Sequence, residues 1–263
     1  MKDCRETWYD AAAKVAVTIA DVTSAAQELA RGHLAGPTSA HFLTKALAAV
    51  ALLGGETSEA DETTILQMKC SGPLGGFNVE CTAAGTLRGY TERKILDAFD
   101  GQGTPDVRAV VGERQLQITH SVPGRILSQG ISTSLDGYLA GSLQRRAVIA
   151  LEAAVTDEVE IVTARGVMVE ALPDSDFALS DAIFGMGRKR LSLAVSSRNL
   201  LAKLGFPRAE LKGTSPLGFA CRCSSDRAIA MLDALSPEER RDLPPTIDIT
   251  CHMCGRTFTI AAR

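Results

Sequence analysis

Cys221-Arg-Cys223 and Cys251-His-Met-Cys254, with 27 residues between them, form the stretch on which the reading of this chain turns. Two close cysteine pairs separated by a loop supply the four thiolates of a closed tetrahedral zinc site. A Cys-x-x-Cys turn brings two sulfurs onto one metal, and Gly255 directly after it permits the tight backbone that turn needs. The Cys-x-Cys half is less common and separates the motif from ordinary zinc ribbons. One Zn²⁺ per chain in the reduced protein is the expected cofactor, with Cys221, Cys223, Cys251 and Cys254 as its ligands.

The residues around the cysteines read as a small module. Ser224 or Ser225 caps a helix whose Ile229, Leu232 and Leu235 share a face. Ser236-Pro237-Glu238-Glu239 orders a cap, a first-turn proline and a glutamate for a second helix. Pro244-Pro245 ends it, and Ile247 to Ile249 and Thr257 to Ile260 form a hairpin with the second cysteine pair at its tip. About forty residues with so few apolar side chains do not make a core, so a structural zinc worth on the order of 10 kcal/mol must hold them together.

Moving towards the N-terminus, Pro207 to Gly218 reads as a loop-like connector. Before it, Asp174 to Phe206 is helical and amphipathic, broken by Gly185 and Gly187, with Leu191, Leu193, Val195, Leu200, Leu201, Leu204 and Phe206 as its apolar residues. The first 173 residues mix strands and helices without regular β-α-β alternation. Strands are expected at Ala11 to Asp21, Thr63 to Cys70, Phe77 to Thr82, Thr86 to Thr91 and Gln115 to His120, and at Val159 to Val162 and Val167 to Leu172 around an Arg165-Gly166 turn. Helices are expected from a Ser24-to-Gln27 capping box to Gly32, from Thr38 or Ser39 to Leu53 (apolar nearly all round, hence buried), and over Ser132 to Arg146 with Leu135, Leu139 and Leu143 on one face. The fold class is α+β with antiparallel hairpins. The expected division is 1–173 as main domain, 174–219 as helical linker region and 220–263 as zinc module.

Composition excludes several functions. Hydrophobic residues make up 45% of the 263, ample for a core, while aromatics are only 5% and the net charge is −3. That balance does not suit a general nucleic-acid or membrane-surface binder. Pro207 to Arg263 carries eight basic and seven acidic residues, so a zinc-ribbon nucleic-acid module, the rival reading, lacks its electrostatic footprint. Arg188-Lys189-Arg190 reads as a solvated surface. No GxxxxGK[ST] loop is present, which argues against a nucleotide, and a full shell of four sulfurs leaves no open position for a catalytic water, which argues against an enzyme. Seven cysteines without scaffold spacing, and an N-terminus lacking a secretory apolar segment, point to a reducing cytosolic compartment. Cys4 is expected in a mobile terminus, Cys70 and Cys81 as partly buried thiols, and His33, His41 and His120 as structural residues with no carboxylate at catalytic spacing. His252 is expected beside the metal or in solvent, outside the ligand set.

The Cys-x-Cys…Cys251-His-Met-Cys254-Gly255 module resembles the zinc-binding end of the 33-kDa heat-shock protein family, the redox-regulated holdase chaperones. Gly72-Pro-Leu-Gly-Gly76 followed by Gly85-x-x-Arg88-Gly89-Tyr90 is similar to that family's hairpin signature, and Ala171-Leu172-Pro173 resembles the end of its main domain. Two stretches depart from it: Ser142-Leu143-Gln144 stands where Ser-Glu-Gln is usual, and Ala164-Arg165-Gly166 where a double glycine is common. The resemblance implies an ATP-independent holdase. Oxidation would join Cys221 to Cys223 and Cys251 to Cys254, release zinc and unfold the module. Leu191, Leu193, Leu200, Leu201, Leu204 and Phe206 would then be uncovered for unfolded client proteins. It also implies homodimers of the active form.

Overall fold

Strand β1 (Cys4–Asp10) and strand β2 (Val15–Asp21) begin the chain as a hairpin, in a computed structural model that describes residues 2–55, 57–180, 192, 194–241 and 243–261. Along β2 the β-branched Val15, Val17 and Ile19 face one side of the sheet, while Ala20 faces the other. The sheet is completed by β8 (Ala147–Val155), β9 (Ile161–Ala171) and β10 (Glu210–Pro216), in the antiparallel order β10-β1-β2-β9-β8. A second sheet has the order β11-β5-β4-β3-β6-β7, built from β3 (Thr63–Cys70), β4 (Gly76–Thr82), β5 (Thr86–Thr91), β6 (Arg114–Val122), β7 (Arg125–Ser132) and the short β11 (Gly218–Phe219). Only the β11–β5 pairing among these is parallel.

Helices α1 (Thr23–His33) and α2 (Pro37–Leu53) lie in the layer between the sheets, and one core joins Leu29, Leu43, Leu47 and Leu52 to Met168 on one side and Leu66, Val79 and Ile118 on the other. As its sequence required, α2 is buried nearly all round. Outside the first sheet, α5 (Ser197–Leu204) covers the opposite face through Val17, Val167 and Val169. The short helices α3 (Val107–Val111) and α4 (Leu135–Gly141) add Val110, Val111, Tyr138 and Leu139 to the same core.

Several expectations are corrected. Cys4 is held in β1, opposite Asp21 and Pro216, and does not lie in a mobile terminus. The connector at 207–218 is mostly β10, an edge strand that its glycines and prolines disguised. Arg165-Gly166 is not a turn: β9 runs straight through it, and a Cβ on Gly166 would sit 2.8 Å from Leu52 Cδ1. Helix α4 stops at Gly141, so Leu143 is partly exposed and leaves the face of Leu135 and Leu139. Strands β7 and β8 were not legible in the sequence. The capping box at Ser24 does not form. Asp3 accepts from the N–H groups of Ser24 (2.9 Å) and Ala25 (2.7 Å), and Gln27 reaches across to Val159 O and Ile161 N. Gly185, Gly187, the basic run at 188–190, Leu191 and Leu193 lie outside the described residues.

Candidate metal centre

The C-terminal residues form a third, very small core. Ala228 and Leu232 of α6 (Ser225–Asp233) meet Ile260 of β13 (Thr257–Ala261), which pairs with β12 (Thr246–Thr250). Ser224 accepts from Arg227 N at 3.2 Å, the expected cap. Ser236 and Glu239 exchange bonds of 2.8 and 3.2 Å, the expected capping box of α7 (Pro237–Arg241). Three buried side chains among the described residues offset little of the entropy of ordering this segment.

What completes it is sulfur. The Sγ atoms of Cys221, Cys223, Cys251 and Cys254 all lie within 4.8 Å of one another. Cys221 and Cys251 are 3.7 Å apart and Cys223 and Cys254 3.5 Å. A disulfide requires about 2.05 Å, whereas a tetrahedron with metal–sulfur bonds near 2.3 Å has an edge of about 3.8 Å. All four cysteines are free thiols and Cys254 is buried. The donor set and spacing therefore fit a divalent metal. Both of these sulfur contacts cross between the two halves of the motif, so the centre ties the stretch at 221–223 to the hairpin tip.

Electrostatics agree. Burial alone would raise the thiols of Cys221, Cys223 and Cys254. For Cys221 it is outweighed by bonds from the Cys223 backbone and from Arg88 Nη1 at 3.8 Å, which bring the thiol down to about 7. Cys223 and Cys254 are pushed up, by burial and then by sharing protons with neighbouring sulfurs. Without a cation Cys221 gives up its proton readily while Cys223 and Cys254 resist losing theirs; a divalent ion removes that resistance.

The centre is docked against the main body. The knuckle closes with Gly255 N donating to Cys251 O at 2.9 Å and Cys251 N to Arg256 O at 2.8 Å. Gly89 N of β5 donates to Met253 O at 3.1 Å, and the rings of Tyr90 and His252 meet edge to face at 3.9 Å. Gly32 near the end of α1 lies so close that a Cβ on Gly255 (φ +73°) would fall 2.0 Å from its carbonyl oxygen. His33 Nε2 bonds Gly89 O at 2.9 Å beside this junction. Arg88 pairs with Glu80, Arg222 joins Glu80 at 3.2 Å, and Ala220 N donates to Leu87 O at 3.2 Å. Arg88-Gly89-Tyr90, legible from sequence only as part of a hairpin, is thus the edge that receives the cysteine module. His252 lies outside the ligand cluster, on Tyr90.

The remaining expected residues lie elsewhere. Leu200, Leu201, Leu204 and Phe206 are buried against Trp8, Val17 and Val169, on the face of the first sheet turned away from the α1–α2 layer. The cysteine cluster packs on the core of that layer, so what covers these four side chains is the sheet, and the expectation that the zinc module covers them is corrected. Cys81 lies opposite Thr64 and Cys70 six residues further along β3, about 20 Å away, too far for a disulfide. His120 does have a carboxylate partner, contrary to the sequence reading: its Nδ1 lies 2.9 Å from Glu62 Oε1. Among the described residues no helix is long and apolar enough to cross a membrane.

Two sheets around a helical layer, with a four-cysteine cluster docked on the edge of one, define the class: an α+β protein with a C-terminal metal-binding module. The family model described as Hsp33 protein matches residues 7–261, and the chain belongs to the Hsp33 family. It is similar to the 33 kDa chaperonin of Thermus thermophilus, 28% identical over 270 residues covering 92% of this chain and 79% of that protein. The 33 kDa chaperonin of Lacticaseibacillus paracasei is 28% identical over 262 residues, covering 91% and 88%. Among solved structures, the 33 kDa chaperonin (heat shock protein 33 homolog) of Thermotoga maritima shares the fold, with TM-score 0.83 at 18% identity over 100% of this chain and 96% of that one. Relatives named as chaperonins and a C-terminal four-cysteine cluster together fit a chaperone.

Proposed function

We propose that this protein is a redox-regulated, ATP-independent holdase of the cytoplasm, inactive while Zn²⁺ occupies Cys221, Cys223, Cys251 and Cys254. The observation that carries the reading is the convergence of four free sulfurs on a module whose own core, among the described residues, has three buried side chains. Oxidation takes two electrons from each pair of thiolates, forms two disulfides and removes the ligands, so zinc leaves and the segment at 220–263 unfolds as a unit. In the folded centre Cys221 lies 3.7 Å from Cys251 and Cys223 3.5 Å from Cys254. Once the fold loosens, sequence neighbours have the highest effective concentration, which favours Cys221–Cys223 and Cys251–Cys254.

Loss of the module withdraws the anchor of β11 on β5. The segment at 174–219 then acts as the linker: β10, tied directly to β11, peels from the edge of β1, and Leu200, Leu201, Leu204 and Phe206 lose the frame that seats them. Together with Leu191 and Leu193 they supply apolar surface for unfolding clients. The oxidised chain pairs with a second copy.

Light scattering of a heat-unfolding client tests this, with zinc-loaded reduced protein and peroxide-treated protein added in equal amounts and released zinc measured alongside. Suppression by the oxidised form alone, with one zinc released per chain, is expected. Equal suppression by both forms would establish a constitutive chaperone and overturn the switch. Sedimentation of the oxidised form should give twice the reduced mass.

A further inference from the structure

Between α2 and the second sheet, with none of the four cysteines in its lining, lies an open cavity of about 180 Å³. Its walls are apolar: Phe42 of α2, Leu66 and Met68 of β3, Phe77 of β4 and Leu116 of β6 form the deep side, and Leu135 and Leu151 the outer side. Among the described residues two charged side chains line it, Lys45 and Arg114, both cationic, and no carboxylate does.

Lys45 sits on α2 in a layer where nearly every neighbour is apolar, and it is half-buried. Burial disfavours its ammonium, and the opposing charge that reaches it is Glu152 of β8, whose carboxylate is engaged by the Ser192 hydroxyl at 3.1 Å. Among the described residues nothing hydrogen-bonds or ion-pairs with the Lys45 amine. Arg114 is an exposed residue and donates its Nε–H to Thr133 O at 3.1 Å. An open apolar pocket whose described lining carries two cations and no carboxylate, with Glu152 acting on Lys45 only from outside it, is complementary to one kind of small molecule: an apolar tail ending in a carboxylate.

We propose that this cavity binds a short acyl carboxylate, its tail among Phe42, Leu66 and Met68 and its carboxylate between Lys45 and Arg114. A cavity of roughly 150 Å³ accommodates a six-carbon ring, so this one suits a chain of about six to eight carbons. The site is independent of the metal centre and of the holdase reading.

Isothermal titration calorimetry of the reduced full-length chain with sodium octanoate, below its micellar concentration, tests the assignment. Saturable binding of one octanoate per chain is expected, with 1-octanol at least about tenfold weaker because it cannot pair with the cations. Lys45→Met, which keeps the apolar stem, should weaken octanoate about tenfold. Arg114→Met, on an exposed side chain that leaves folding intact, should weaken it about threefold and leave 1-octanol unchanged. Dodecanoate should gain little over octanoate, since the apolar volume of about 180 Å³ is already filled and the added carbons extend into solvent. Absence of saturable binding, several octanoates per chain, or equal affinity for octanoate and 1-octanol would each overturn the proposal, as would parental affinity in the Arg114 variant.

Discussion

Gly255→Ala isolates what docking contributes to the metal centre, because the strain it introduces comes in two separable parts. The first is backbone: φ is +73° at Gly255, a left-handed conformation that costs a residue with a Cβ about 1 kcal/mol. The second is collision, since the new methyl would lie 2.0 Å from Gly32 O, 2.4 Å from Gly32 C and 2.8 Å from His33 N, all backbone of α1. Helix α1 is fixed in the central layer, so the knuckle must move. Moving it breaks the Gly89 N to Met253 O bond (3.1 Å) and the Tyr90–His252 contact (3.9 Å). One backbone hydrogen bond is worth about 1 kcal/mol net, and an edge-to-face pair about 0.5–1.5. The sum is about 3 kcal/mol, or roughly a hundredfold in metal affinity when docking and ligation are coupled. Gly101→Ala is the control: φ is +77° there, yet no atom lies within 4 Å of the added Cβ. It carries the backbone part alone and sits far from the cysteines in sequence. Competition for zinc against a chromogenic chelator, with the reduced protein, measures both variants against the parent. Indistinguishable affinities for Gly255→Ala and the parent would refute the coupling of docking to ligation. Weakened binding in Gly101→Ala to the same degree would show that the effect is not local.

Hydrogen exchange on zinc removal should reveal an order: 218–220 loses protection first, 210–216 next and 197–204 last, because α5 is seated on the sheet and reaches the module only through β10 and β11. Simultaneous loss across all three segments would contradict that arrangement. His41 is buried on α2, and burial holds its imidazole at about 4 against 6.5 unfolded. A depressed histidine contributes stability that is fully present above pH 6.5 and lost as pH falls towards 4, here about 3 kcal/mol at most. His41→Phe should flatten that segment of a urea-midpoint-against-pH curve, and an unchanged slope would count against the assignment. Burial pushes the Cys81 thiol up to about 11. Iodoacetamide at pH 8 should therefore modify it about a hundredfold more slowly than an exposed thiol, with mass mapping showing ordinary labelling once urea is added.

The metal centre was the most legible part of the chain because its chemistry is local in sequence. Thiolate identity, the two spacings and Gly255 state a ligand set without reference to the rest of the fold, and the caps at Ser224 and Ser236 likewise bond within three residues. Strands β3, β4 and β5 followed from the same locality, their alternation being bounded by glycine turns. What failed to read locally depends on distant partners. Glu210 to Pro216 has weak strand propensity, yet it forms a strand because β1 presents an unpaired edge 200 residues earlier. Helix α1 is capped by Asp3 from another element, which made Ser24 a false signal. The amphipathic face of Leu200, Leu201, Leu204 and Phe206 was visible in the sequence, but an apolar stripe does not name its partner. Tertiary structure seated it on the outer face of the first sheet and the cysteine module on the core of the helical layer. Ligand chemistry resides in residue types and their spacing; which surfaces meet is decided by packing, which no short window of sequence contains.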